Sequence, residues 1–161
     1  MISKKEMIHD FWDDKSCGEE LYLNERTREG YERQSKIRYA LEPFILEFAD
    51  FNSFYGKLVL EIGVGLGADH QKFAEAGANL WGIDLTNRAI DHTKKRLDLF
   101  GLSSNISVSD AEKLEFQNDF FDLVYSWGVV HHTSDPFKSI EEIWRVLKPG
   151  GSAKIMVYHK W

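Results

Sequence analysis

A chain of 161 residues, 43% hydrophobic and 14% aromatic, can bury one core and is too short for two full domains. Its net charge of -6 argues against a nucleic-acid partner held by phosphate contacts, which would need a basic face, and leaves only local basic patches open. The single cysteine, Cys17, excludes an internal disulfide, and the charged start and the lack of ~18 consecutive apolar residues speak against a signal peptide or membrane span, making cytoplasm the expected setting.

Residues 1–30 are polar and aromatic, with Phe11, Trp12, Tyr22 and Tyr31 irregularly spaced. From Tyr31 to about Phe48 a helical period places Ile37, Ala40, Leu41, Phe44, Ile45 and Phe48 on one stripe, and Pro43 should kink or restart that helix. Residues 52–56 read as a loop. Strict alternation follows. A strand over 58–62 precedes a helix from Ala68 to Ala76 that Gly77 closes. A strand over 80–84 precedes a helix over 87–100, capped by Thr86 and ended by Gly101. A short strand at 106–108 leads into a polar loop, and a strand over 121–126 precedes a helix over 136–147 with Pro136 in its first turn and Ser134 or Asp135 as its cap. Residues 148–151 read as a turn and 152–158 as a last strand. Five strands alternating with helices imply an α/β fold, a doubly wound parallel sheet with right-handed crossovers. The expected division is an N-terminal helical cap over 1–50 and a core over 51–161.

The run Val59-Leu-Glu-Ile-Gly-Val-Gly-Leu-Gly67 ends a buried strand in an acid and three alternating glycines, which lets a ligand approach the backbone. Asp84 ends the next strand about 20 residues on, the distance at which a carboxylate meets a ribose in nucleotide-binding units. A charge is costly to bury there, so Asp84 should point into the cleft at the carboxyl edge. The glycines fit two cofactors. Gly63, Gly65 and Ala68 match a dinucleotide fingerprint; Gly63, Gly65 and Gly67 match the glycine pattern of S-adenosylmethionine sites.

The second half resolves the choice by resemblance. Val59–Gly67, Gly82-Ile-Asp84, Ser109-Asp-Ala-Glu-Lys-Leu114, Phe121-Asp-Leu-Val-Tyr-Ser126, Val129-Val-His-His132 and Leu147-Lys-Pro-Gly-Gly151 stand in order over residues 57–159. Together they resemble the class I S-adenosylmethionine-dependent methyltransferases, most closely the small-molecule branch similar to ubiquinone and menaquinone biosynthesis enzymes. The resemblance implies strand order 3-2-1-4-5 and S-adenosylmethionine as cofactor. It implies that Glu61 and the loop of Gly63, Gly65 and Gly67 meet the methionine end, Asp84 the ribose, and Leu85 the adenine face. Asp110 would accept from the adenine amino group and Ala111 would offer its backbone N–H, while Ser126, Trp127 and Gly128 lie under the methionine and sulfonium.

His131 and His132 are the candidates for proton transfer near that edge, as bases for a hydroxyl, amine or carbon acid; the alternative is that they cap a helix or line the pocket. Trp12, Tyr22, Tyr31 and Tyr39 could form a lid, or pack as ordinary core aromatics. His9, His70, His92 and His159 lack metal-ligand spacing, so no metal is expected. The resemblance also implies a further antiparallel strand pair beside strand five, absent here; the expectation is either a fragment, which is favoured, or self-association through the open, apolar edge of 153–158. The expected function is methyl transfer from S-adenosylmethionine to a small-molecule acceptor. The alternatives are a non-catalytic binding module and, less favoured, a nicotinamide-dependent oxidoreductase.

Overall fold

The computed structural model describes residues 2–158; His159 and the end of the core expected over 51–161 lie outside them. Helix α1 spans Lys4–Asp14 and begins with a capping box, in which Ser3 accepts from the Glu6 N–H and the Glu6 carboxylate accepts from the Ser3 N–H. Two further helices, α2 (Glu19–Tyr22) and α3 (Arg28–Leu41), lead to the short α4 (Phe44–Ala49), which restarts after Pro43 as the sequence predicts. A single 3-10 turn over Phe51–Phe54 replaces part of the expected loop.

The alternating half follows: β1 (Leu58–Ile62), α5 (Ala68–Glu75), β2 (Asn79–Asp84), α6 (Asn87–Phe100), β3 (Asn105–Val108), β4 (Phe121–Trp127), α7 (Pro136–Val146) and β5 (Leu147–Met156). All neighbours pair in parallel, and the sheet order is β3-β2-β1-β4-β5. Thr86 caps α6 by accepting from the Ala89 N–H, and the Asp135 side chain caps α7 by accepting from Lys138. The turn expected at 148–151 is an irregularity inside the strand. Phe121 pairs Leu147 but Leu123 pairs Ser152, so the extra residues bulge out, and Lys148 reaches back to Asp122 at 2.8 Å.

Alternation along the strands builds two cores, one on each face. Leu60, Ile62, Ile83 and Val124 pack toward Ile143 and Val146 of α7. Val59, Leu80, Leu123 and Tyr125 pack toward Phe73 of α5 and Ile45 and Ala49 of α4. A parallel sheet buried on both faces reads as continuous hydrophobic runs for this reason. Glu61 shares the parity of Val59 and so falls on the α5 side.

Of the stripe expected over Tyr31–Phe48, Ile45 is fully buried but Leu41, Phe44 and Phe48 are exposed, and α3 instead buries Gly30, Tyr31 and Gln34. The helix turns this polar face inward because the buried Arg96 guanidinium needs acceptors there: Gln34 Oε1 at 2.8 Å, the Tyr31 carbonyl at 3.1 Å and the Ser35 hydroxyl.

Candidate functional site

The carboxyl ends of β1, β2 and β4 and the segment after β3 open on one cleft of about 220 Å³. This is the edge of an open α/β sheet at which ligands bind, because the strand order reverses between β1 and β4. Helix α1 adds Lys5, Ile8 and Trp12 to the wall, and α3 adds Gln34 and Arg38.

The glycine turn sets the floor. Gly63 has φ of 83°, and a Cβ there would lie 2.2 Å from Val129 Cγ2, so only glycine lets β1 and the segment after β4 approach. Gly65 has φ of 51°, and a Cβ would meet nothing within 4 Å; it would project into open space. Gly67 starts α5, and Gly63, Gly65 and Gly67 all line the cleft.

Asp84 stands one hydrogen bond from that turn. Its Oδ2 accepts from the Gly65 N–H at 3.2 Å, and its Oδ1 accepts from the Thr86 N–H at 3.1 Å and hydroxyl at 2.9 Å. Burial raises its pKa, against the lowering effect of the bonds from Thr86 and Gly65. A carboxylate has about four acceptor positions, so three internal bonds leave room for a ligand hydroxyl. Leu85 lies beside it on the wall.

Across the cleft, Asp110 accepts from Lys5 Nζ and, through Oδ1, from the Glu112 N–H at 2.9 Å; Ala111 is buried next to it. Glu112 pairs with Lys5 at 2.8 Å and accepts from the Ser134 N–H at 2.7 Å and the Asp135 N–H at 3.0 Å. Burial works against its charge, but the Lys5 ammonium and the Ser134 and Asp135 donors hold its pKa at about 2.

Toward α5 the acids are neutralised internally. Asp69 accepts a two-point contact from Arg38 (3.1 and 2.7 Å) and the hydroxyls of Tyr39 and Tyr125, each at 2.9 Å. Burial and the Asp69 charge push both phenol pKa values up. Glu61 is buried, and its Oε2 lies 2.8 Å from His70 Nδ1. Burial, then the neighbouring Asp69 carboxylate, raises the Glu61 pKa; burial lowers that of His70 to about 3.

At the end of β4, Trp127 and Gly128 line the cleft, while Ser126 is fully buried and donates to the Ile62 carbonyl at 3.1 Å. Trp127 Nε1 is buried with no hydrogen-bond partner among the described residues. His131 and His132 lie in a 3-10 turn over Val130–His132. His132 is on the cleft wall, its ring 5.4 Å from Trp12 and 4.0 Å from His131. His131 sits behind it against Tyr158, and burial, with His132 beside it, lowers its pKa. Of the four aromatics expected as a lid, only Trp12 lines the cleft. Tyr31 is in the core with its hydroxyl 3.0 Å from His92 Nδ1, Tyr39 serves Asp69, and the Tyr22 ring lies against Gly18.

A family model described as a methyltransferase domain matches residues 60–155. The chain belongs to the class I S-adenosylmethionine-dependent methyltransferases. Phosphoethanolamine N-methyltransferase 2 of Caenorhabditis elegans is 34% identical over 133 residues, covering 81% of this chain and 28% of that protein. Ubiquinone biosynthesis O-methyltransferase of Actinobacillus pleuropneumoniae serotype 7 is 31% identical over 121 residues, covering 70% of this chain and 51% of the other. The chain thus spans about half or less of the length of these relatives. In fold it is similar to a protein of Pyrococcus horikoshii OT3, with a TM-score of 0.66 at 21% identity, covering 89% of this chain and 63% of that one. Among the described residues no helix is long and apolar enough to cross a membrane, and no group of His, Cys, Asp and Glu is placed to hold a metal ion.

The family's cofactor is S-adenosylmethionine, and the cleft fits it in two respects. Space stands open over Gly65, and acids outnumber bases on the wall, which suits a cation. Sequence reasoning missed Lys5, Arg38 and Glu112 on this wall. Ser3 and Glu6 signal the helix that carries Lys5, but the pairings of all three depend on tertiary approach.

Proposed function

We propose that the cleft binds S-adenosylmethionine and that the protein transfers its methyl group, in line, to a small-molecule acceptor. In this reading Glu61 and the turn of Gly63, Gly65 and Gly67 hold the methionine end. Asp84 takes a ribose hydroxyl, and Leu85 covers one adenine face. Asp110 and the Ala111 N–H read the adenine edge, while Trp127 and Gly128 form the floor under the sulfonium. Ser126 supports that floor through its bond to β1. Residues 1–50 act as the cap and 51–161 as the core.

The observation that carries the reading is the open space over Gly65 with Asp84 one hydrogen bond away. When bound, S-adenosylmethionine supplies an electrophilic methyl group on a good leaving group. The protein's work is then to position the acceptor and exclude water, which is worth much of the barrier in such a reaction. His132, on the wall beside Trp12, would take the proton of a hydroxyl or amine acceptor, with His131 packed behind it. The relatives are named for N- and O-methyl transfer to small molecules, which supports a metabolite acceptor and leaves nitrogen and oxygen both open.

Incubation with S-adenosylmethionine and a panel of amines, phenols and carbon acids tests the proposal by mass spectrometry. A methylated product supports it. Cofactor binding with no product from any acceptor would favour a non-catalytic binding module.

A further inference from the structure

Behind the cleft wall, a chain of hydrogen bonds runs from Glu61 into the sheet. Glu61 Oε2 is 2.8 Å from His70 Nδ1, His70 Nε2 is 2.9 Å from Ser104 Oγ, and Ser104 Oγ is 2.8 Å from the Leu80 carbonyl. The chain has a direction. A carbonyl only accepts, so the single Ser104 hydrogen points at Leu80 and the serine oxygen must accept from His70. The hydrogen of His70 is therefore fixed on Nε2, which leaves Nδ1 facing Glu61. One further proton lies between Nδ1 and the carboxyl group. The site is built for this ring: it is fully buried, and a Cβ at Gly82 would lie 2.5 Å from His70 Cε1.

We propose that Glu61 and His70 share one proton, held on Glu61 in the empty site, and that a cationic ligand at the cleft draws it onto His70 Nδ1. The O–H bond of Glu61 breaks and an N–H bond forms on His70. The pair goes from two neutral groups to a carboxylate and an imidazolium, and no proton enters or leaves the protein. His70 is thus a positioning residue: it supplies Glu61 with a negative charge only when a positive charge arrives.

Two features set the resting state. Separating charge in a dry interior is costly, and Glu61 stands among the carboxylates of Asp69 and Asp84, with the guanidinium groups of Arg38 and Arg96 opposing them. Burial keeps His70 neutral, and the neighbouring Asp69 carboxylate, which favours the charged ring, only partly offsets it. A cation close to Glu61 and farther from His70 shifts the balance toward the ion pair, by about tenfold or more at the effective dielectric of such sites. A permanently charged Glu61 would pay its desolvation in the empty protein, and a permanently neutral one would hold a cation poorly.

The inference rests on the reading of the cleft as an S-adenosylmethionine site, and the test separates the two. S-adenosylhomocysteine is titrated calorimetrically at pH 6 in buffers of different ionisation enthalpy, where its α-ammonium group stays charged. The wild type is compared with His70→Asn, which keeps an amide against Glu61 but cannot take a proton. The variant is expected to release about one proton more per ligand than the wild type, and to lose affinity relative to it by up to about tenfold per unit fall in pH. Glu61→Gln should show no such release. Nitrogen NMR of His70 in the wild type should move from a neutral ring with its hydrogen on Nε2 to an imidazolium on binding, a change no packing role produces. Equal proton counts in wild type and variant, or a ring that stays neutral in the complex, overturn the proposal while leaving the cofactor site intact. Absence of binding overturns both.

Discussion

Alanine at Gly65 separates backbone strain from ligand exclusion, and Gly101 supplies the control. Both glycines have positive φ, 51° and 67°, and at neither does a Cβ meet an atom within 4 Å. Both replacements therefore cost the left-handed strain of a residue with a Cβ, about 1–2 kcal/mol. For a chain of this size that lowers Tm by roughly 2–8 °C. Gly101 ends α6, whereas Gly65 faces the cleft. A methyl group over Gly65 stands where the cofactor would pass, and forcing atoms together at such a contact costs about 1–3 kcal/mol. Gly65→Ala should thus weaken S-adenosylhomocysteine binding by about 5- to 150-fold, and Gly101→Ala should leave it unchanged. The assays are urea denaturation for stability and calorimetry for affinity. Equal affinity in both variants, with matched stability losses, would refute the placement of the cofactor over the glycine turn.

Asp110→Ala should weaken the same ligand by about 10- to 100-fold, the worth of a hydrogen bond to a charged group, and should speed amide exchange along α1 because Lys5 loses one of its two partners. Glu112 has a folded pKa of about 2 against 4.5 for the free side chain. The unfolded chain therefore takes up the proton first as pH falls, and the stability Glu112 provides is complete above 4.5 and lost toward 2. Glu112→Gln should flatten urea stability across that window; an unchanged acid limb would contradict its pairing with Lys5 and Ser134. His132→Ala should lower turnover at saturating cofactor by about 100-fold or more if it removes the acceptor's proton, and unchanged turnover removes it from the mechanism. Pairing of copies through the open side of β5 predicts a dimer whose fraction rises with concentration in light scattering, and a monomer at all concentrations rules it out.

The alternating half was legible because its signals are local. Apolar runs with Gly63, Gly77 and Gly101 at their ends, Thr86 and Asp135 as caps and Pro136 in a first turn place β1, α5, β2, α6 and α7 within a residue or two. Glycine spacing and the acid at Asp84 likewise mark the cleft edge. Helix α1 escaped a reading by hydropathy because it buries no residue fully, although the Ser3–Glu6 box announces its start. The face of α3 was misjudged for a different reason. Hydropathy assigns Leu41 of this helix to the interior, but a fully buried guanidinium at Arg96 calls for Gln34 and backbone carbonyls. The partner of Arg96 is set by tertiary approach, which spacing along one helix does not encode. His70 is hidden in the same way: its meaning appears only when Glu61 and Ser104 close around it.

A crystal structure of the chain with S-adenosylhomocysteine tests the central claim most directly. The account predicts the adenosine between Asp84 and Asp110, its ribose within hydrogen-bond distance of Asp84, and the amino-acid end over Gly65 toward Glu61. A ligand bound elsewhere, or a nicotinamide dinucleotide seated in this cleft in its place, would contradict it.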